Sequence, residues 1–251
     1  MTNSSVHRVE AVALAKRQAR RLIRWLRRTS GINPPGLNAD DFRRLVGKPD
    51  PVILDIGSND GSQTALFLRI FPGAQVYAFE PDPRAAKRFR QNVSAPRASL
   101  LNVALSNQDG TAEFHLSGGT PPPAFRDKMP EGWDESGSLK PPKRHLEVYP
   151  WCSFGETATV QTMRLDTWFQ AAGVGAIDFI WADVQGAEKE LIEGGMLALS
   201  KTRFLYTEYS DNELYAGQVG LSAIQRLLPD FRIVHRWENN VLLRNIRVRP
   251  V

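Results

Sequence analysis

Apolar and polar positions follow two rhythms along this chain. From Pro51 onward, short runs rich in β-branched and aromatic residues lie at 52–56, 75–80, 99–105, 159–165, 176–183 and 203–208. Between them lie stretches at 62–71, 83–92, 166–172, 187–193 and 221–228 whose apolar residues recur at three- and four-residue intervals. The first rhythm predicts strands and the second amphipathic helices. Their alternation predicts a parallel α/β sheet. Two closing runs, 231–237 and 241–245, are joined by Glu238-Asn-Asn240 and predict an antiparallel hairpin.

Ahead of this body the rhythm is different. Val12, Ala15, Ala19, Leu22 and Leu26 stand at helical spacing with arginines between them, so 8–28 predicts one amphipathic helix. Gly31 to Gly36, with Pro34-Pro35, breaks the chain before a short helix at 40–46. The organisation read from this is a basic arm and linker over 1–48, followed by one domain over 49–251. Charge separates the two parts. Residues 1–30 carry eight basic side chains and one acidic, a net +7. The rest holds 24 basic and 26 acidic, so the overall +5 belongs to the arm. The arm's apolar stripe is read either as packing on the domain or as a peripheral contact with an anionic membrane surface or acidic partner. No apolar run approaches the ~20 residues of a membrane span, no secretory h-region opens the chain, and Cys152 stands alone. A cytoplasmic protein, membrane-peripheral if the arm binds lipid, is the expectation.

The stretch 117–158 fits neither rhythm. It holds Pro121-Pro-Pro123, Pro130, Pro141-Pro142 and Pro150, interleaved with Phe125, Trp133, Tyr149, Trp151 and Phe154. A segment of this length inside a compact domain is either functional or disordered, and its aromatic content argues against disorder. A substrate-covering lid is the preferred reading, with a packed structural excursion as the alternative.

The most informative chemistry sits at the first strand. The run ending in Asp55 is followed by a turn on Gly57 and Gly61 and then by a helix, the unit that holds nucleotide-like cofactors at the carboxyl end of a parallel sheet. The second run ends in Glu80, placed to accept hydrogen bonds from a ribose diol. Glycines in such a turn are expected to let the backbone approach the ligand closely. Asp55 and Asp60 disfavour a pyrophosphate in that loop. They suit S-adenosylmethionine, which carries a sulfonium and an ammonium.

These residues resemble a known family. Asp55-Ile-Gly-Ser-Asn-Asp-Gly61, Phe79-Glu-Pro-Asp-Pro83, Asn102-Val-Ala-Leu-Ser106, Leu165-Asp166 and Asp183-Val-Gln-Gly-Ala-Glu188 occur in the order expected of FkbM-type methyltransferases, over roughly residues 50–245. The resemblance implies a Rossmann-like class I methyltransferase fold, with a seven-stranded, mainly parallel sheet ending in an antiparallel hairpin. It implies methyl transfer from S-adenosylmethionine, usually to a hydroxyl of a sugar, polyketide or similar metabolite. The motif positions mark Asp55, Gly57, Ser58, Asn59, Gly61, Glu80, Pro81, Asn102, Ala104 and Asp183 as cofactor contacts. Gln185 departs from the pattern, which has glutamate there.

A hydroxyl acceptor benefits from a general base, and open α/β sheets bind ligands at strand carboxyl ends. Asp183 and Glu208 end neighbouring predicted strands. Either is a candidate base, a partner for the cofactor's amino acid portion, or a ligand of a divalent metal such as Mg²⁺. His235 is a third, weaker catalytic candidate. Glu188 reads as a helix-surface or strand-tip residue. Tyr206, Tyr209, Tyr215 and Trp237 cluster near the last strands, where aromatic faces could stack on a sugar ring or simply fill the core. A nucleic-acid methyltransferase is the second reading, resting on the basic arm. Against it, Asn33-Pro-Pro-Gly36 precedes the first strand and lacks the aromatic of the base-amine motif. Pro150-Trp-Cys152 lies in the irregular stretch, away from any strand end. A methyltransferase-like module that binds without catalysing is the third reading, disfavoured by the intact Asp55, Gly57, Gly61 and Glu80.

Overall fold

The structure, a computed structural model, describes residues 37–121 and 132–248. The predicted helix at 8–28 and Pro122, Pro123, Phe125 and Pro130 lie outside the described residues. Ten strands and eight helices are described: α1 (Ala39–Val46), β1 (Val52–Ile56), α2 (Ser62–Ile70), β2 (Gln75–Phe79), α3 (Pro83–Asn92), β3 (Ala98–Leu101), β4 (Ala104–Ser106), β5 (Gly110–Gly119), α4 (His145–Val148), β6 (Cys152–Arg164), α5 (Leu165–Ala171), β7 (Ile177–Ala182), α6 (Glu188–Glu193), α7 (Met196–Ser200), β8 (Thr202–Glu208), α8 (Leu221–Leu227), β9 (Phe231–Arg236) and β10 (Asn240–Asn245).

Seven strands form one sheet in the order β3-β2-β1-β7-β8-β10-β9. The first five run parallel, and β10 and β9 close it as an antiparallel hairpin. Central strands of a parallel sheet are covered on both faces, so their side chains are apolar in both directions. Along β1, Ile53 enters the core under α1 and α2, while Leu54 and Ile56 enter the opposite core with Trp168, Leu191, Leu199 and Ile224. The same alternation in β7 sends Phe179 and Trp181 to the first core and Ile180 and Ala182 to the second. Asp55 therefore points toward α2, the face where Thr64 meets it.

Helix α1, grouped with the arm on sequence, packs on this sheet. Asn38 and Asp41 form a reciprocal capping box at its start. Phe42 contacts Phe67 and Phe179 edge-on, at centroid distances of 5.6 and 5.5 Å. Asp178, buried beside Arg203 and Lys48, accepts a hydrogen bond from the Val52 N–H, and Arg203 also donates to the Val46 carbonyl.

The sequence rhythm misassigned one part of the molecule. The run at 99–105 is two strands in two different sheets, divided at Asn102-Val103. The run at 159–165 does not join the main sheet. It is the end of the long strand β6, which lies between β4 and β5 in a separate three-stranded sheet. Strand β5 went unread because its residues are mostly polar and glycine-flanked, which hides the apolar alternation of a half-exposed strand. The stretch 117–158 is consequently less irregular than its composition suggests. Its described parts are β5's end, a loop from 132, α4, and the first half of β6. Bridges His115–Ser138 and Pro142–Tyr215 fasten the loop to the body. Among the described residues, no helix is long and apolar enough to cross a membrane.

Candidate active site

A cavity of about 280 Å³ opens at the carboxyl ends of β1, β2, β7 and β8. Its floor is the loop after β1. Ser58 lines it and hydrogen-bonds the Phe79 carbonyl through its own N–H, 3.1 Å away. Asn59 takes a left-handed φ of 44°, uncommon for a non-glycine residue and costly unless neighbours hold it. Its N–H donates to Glu80 Oε2 at 2.7 Å, which ties the loop to the end of β2. Glu80 Oε1 accepts from the Asp82 N–H at 2.8 Å. Burial pushes the Glu80 carboxyl up to about 8, against the pull of these two N–H groups. Glu80, Pro81 and Ala104 all line the cavity.

Three predicted cofactor positions lie behind the wall instead of in it. Asp55 is fully buried and accepts from Thr64 Oγ1 at 2.5 Å; burial pushes it up to about 7. Asn102 donates through Nδ2 to the Glu80 and Pro81 carbonyls, at 2.6 and 3.2 Å, and so braces the turn that carries them. Gly61, at φ 82°, is required by packing: a Cβ there would stand 2.5 Å from Val93 Cγ2 and 2.7 Å from Phe89 Cδ2. The expectation that both glycines serve ligand approach is thus corrected for Gly61, whose crowding comes from α3 and the residue after it. Gly57 lines the cavity, but its missing Cβ would point at the Asp183 carbonyl.

Asp183 and Glu208 both line the cavity, from the ends of the paired strands β7 and β8. The Gln185 side-chain amide lies between them, with Nε2 2.5 Å from Asp183 Oδ1 and 3.4 Å from Glu208 Oε2. Asn240 Nδ2 reaches Glu208 Oε1 at 3.3 Å. His235 is not brought to the site: it is exposed on β9, against Trp237 at 4.2 Å between ring centroids. Glu188 is buried behind the cavity, where its Oε1 accepts from the Gly186 N–H and burial pushes it up to about 8. Among the described residues, no group of three or more His, Cys, Asp or Glu is placed to hold a metal ion.

The remaining wall comes from the segment that sequence periodicity could not place. Trp133, Asp134, His145 and Tyr149 of that segment face the cavity, and Tyr215, from the loop after β8, joins them. His145 is 1% exposed, with its ring against Tyr149 and Tyr215 at 4.8 and 5.2 Å, and burial holds it down to about 4. Its Nε2 lies 3.1 Å from Ser136 Oγ, which also accepts from Trp133 Nε1 at 2.8 Å. Tyr215 Oη lies 2.9 Å from both the Ser136 carbonyl and Gln185 Oε1. Asp134 is paired with Arg88 of α3 at 2.5 Å, and Asn59 Nδ2 reaches it at 3.4 Å. Of the tyrosines expected as an aromatic wall, Tyr209 and Tyr215 line the cavity. Tyr206 is stacked under Trp181 at 4.1 Å and Trp237 lies outside. Trp133 and Tyr149 were named in the aromatic-rich stretch read as a lid, whereas nothing in the sequence pointed to Asp134 or His145.

The family model described as "Methyltransferase FkbM domain" matches residues 55–240, a span that runs from Asp55 through both cavity carboxylates to Asn240. The chain belongs to the FkbM methyltransferase family. The chain is 48% identical over 226 residues to the 2-O-methyltransferase NoeI of Sinorhizobium fredii, covering 87% of this chain and 90% of that protein. It is 27% identical over 187 residues to the AMB antimetabolite synthetase AmbE of Pseudomonas aeruginosa, which spans 66% of this chain and 9% of that protein. A solved FkbM methyltransferase from Methylobacillus flagellatus is similar over 78% of this chain and 44% of its own, at 14% identity and a TM-score of 0.47. The FkbM domain of this chain thus contains the whole cavity floor and both carboxylates.

Proposed function

We propose that this chain is an O-methyltransferase that moves the methyl group of S-adenosylmethionine to a ring hydroxyl of a sugar or glycan. The observation that carries this reading is the joint opening of Asp183, Glu208, Glu80 and the Ser58–Asn59 loop on one cavity. The 2-O-methyltransferase named above, alike over nine-tenths of its length, supports a hydroxyl acceptor.

S-adenosylmethionine, when bound, supplies the electrophilic methyl group. The chain's own residues do the rest. Glu80 accepts the ribose hydroxyls, and Asn102 keeps the Glu80–Pro81 turn in place. Asp183 or Glu208 takes the proton from the acceptor hydroxyl as its oxygen attacks. Tyr149, half-buried at the wall, offers a flat face to a sugar ring, and the buried Trp133 and Tyr215 stiffen the same wall and shed water from it. Methyl transfer needs alignment above all, so a rigid wall is itself a large part of the catalysis.

Cofactor calorimetry followed by transfer of labelled methyl to a panel of glycosides tests this. Label should enter glycosides with a free 2-hydroxyl and be absent from their 2-deoxy counterparts. Failure to bind S-adenosylmethionine, or label appearing in nucleic acid instead, overturns it. The basic arm, outside the described residues, is proposed as a peripheral membrane anchor. Deleting residues 1–30 should then end sedimentation with anionic vesicles.

A further inference from the structure

Two carboxylates facing one small volume need something positive between them. The usual solutions are a divalent cation, whose ligands must present oxygen, or N–H donors. Here the volume between Asp183 and Glu208 is taken by the Gln185 amide. Nε2 lies within hydrogen-bonding distance of a carboxylate oxygen on each side, at 2.5 and 3.4 Å. The amide oxygen is turned the other way, 2.9 Å from the Tyr215 hydroxyl. Reversing the amide would set its oxygen against both carboxylates, so the orientation is fixed by its neighbours. The second oxygen of Glu208 also faces an amide, that of Asn240, at 3.3 Å.

The Gln185 backbone is held as tightly. Its φ of 48° is left-handed. Its carbonyl accepts from Ser138 Oγ at 2.6 Å. Gly186 follows at φ 97°, and a Cβ there would meet Tyr215 Cβ at 2.8 Å. A residue in this conformation, anchored on both sides, is built to put its side chain in one place. The donor set does not fit a divalent ion. In this orientation a cation entering between the carboxylates would face the Gln185 amide nitrogen, and Gln185 presents oxygen there only with its amide reversed from the orientation seen.

We propose that Gln185 is the positioning residue of this site. Its amide occupies the point between Asp183 and Glu208 that a divalent cation would otherwise take, and holds both carboxylates toward the cavity without metal. The proposal rests on reading those carboxylates as the reacting pair, but its test does not need turnover. Gln185→Glu replaces the two donors with a third carboxylate in the same place, so that variant should acquire a cation site.

The experiment titrates MnCl₂ into full-length wild type, Asp183→Asn, Gln185→Glu and the double variant Gln185→Glu/Asp183→Asn by calorimetry. S-adenosylmethionine is titrated separately into each. The expected result is no Mn²⁺ uptake by wild type, one equivalent by Gln185→Glu, and loss of that equivalent in the double variant. Saturable Mn²⁺ uptake by wild type that Asp183→Asn removes would overturn the proposal, and this arm does not depend on any glutamine variant folding. A folded Gln185→Glu that takes up no Mn²⁺ would overturn it as well. Failure of wild type to bind S-adenosylmethionine would instead count against the proposed activity and leave the metal result standing.

Discussion

The Cβ that Gly57 lacks would lie 1.9 Å from the carbonyl oxygen of Asp183. The loop that floors the cavity and the strand end that carries a cavity carboxylate are therefore in backbone contact. That contact is locked by the Asp183 N–H donating to the Ile56 carbonyl at 2.8 Å. No side chain can be inserted there without separating β1 from β7.

Gly57→Ala should consequently cost more than the strain of its left-handed φ of 77° alone. That strain is about 1–3 kcal/mol, and displacement of the Asp183 backbone adds to it. Gly47 is the control, since it has φ 72° and nothing within 4 Å of its Cβ position. Urea unfolding of both variants should give the larger loss at Gly57. Equal losses would mean that the close approach to Asp183 relaxes at no cost.

Replacing the carboxylates should separate chemistry from folding. Asp183→Asn or Glu208→Gln, whichever removes the base, should lower turnover by about 10²–10⁴-fold with little change in melting temperature. Cofactor affinity would be the companion measurement. If both variants keep full activity, neither carboxylate moves the proton and alignment alone carries the reaction.

Glu80 gives binding a pH signature. Its folded carboxyl is raised from 4.5 to about 8 by burial. The folded chain therefore holds a proton that the unfolded chain loses on passing 4.5. The stabilising contribution is full below that value and is lost as pH rises through 8. A cationic ligand whose ribose donates to Glu80 favours the ionised form, so binding at pH 7 should release protons. Titrating S-adenosylmethionine in buffers of different ionisation enthalpy measures this. Glu80→Gln should abolish the release, and a buffer-independent enthalpy in wild type would remove Glu80 as the titrating group.

His145 acts in the opposite sense. Burial lowers it from 6.5 to about 4, so the unfolded chain takes up a proton first as pH falls. Its contribution is complete above 6.5 and disappears as pH drops through 4. The melting temperature of wild type relative to His145→Phe should therefore fall between those two values and be flat above them. A difference that does not change over this window would show that His145 is not held neutral by its surroundings.

Much of this was legible from local patterning. The alternation of apolar runs with helical spacing gave six runs for the parallel sheet, five of which form it, together with their helices and the closing hairpin. These elements are buried on both faces, or packed along one face, and their periodicity is strong. The Asp55–Gly61 and Glu80 segments were legible because tight turns at strand ends demand particular residues. The wall was not. Strands β5 and β6 are half exposed and largely polar, so their period-two signal is weak, and proline and aromatic composition between them reads the same whether a segment packs or dangles.

What the sequence determined by itself was the main sheet's five parallel strands and hairpin, the turn at Gly57 to Gly61, and the placing of Asp183 and Glu208 at strand ends. These follow from backbone geometry and hydrogen bonding within a few residues. Tertiary structure alone decided which groups meet. It set Asp55 and Asn102 behind the cavity and His235 outside it. It also brought Trp133, Asp134 and His145 across from a distant segment and turned the Gln185 amide onto two carboxylates. Such meetings depend on contacts between residues tens of positions apart, as with Gln185 and Tyr215. No local propensity encodes them, because each partner would be equally at home on an ordinary surface.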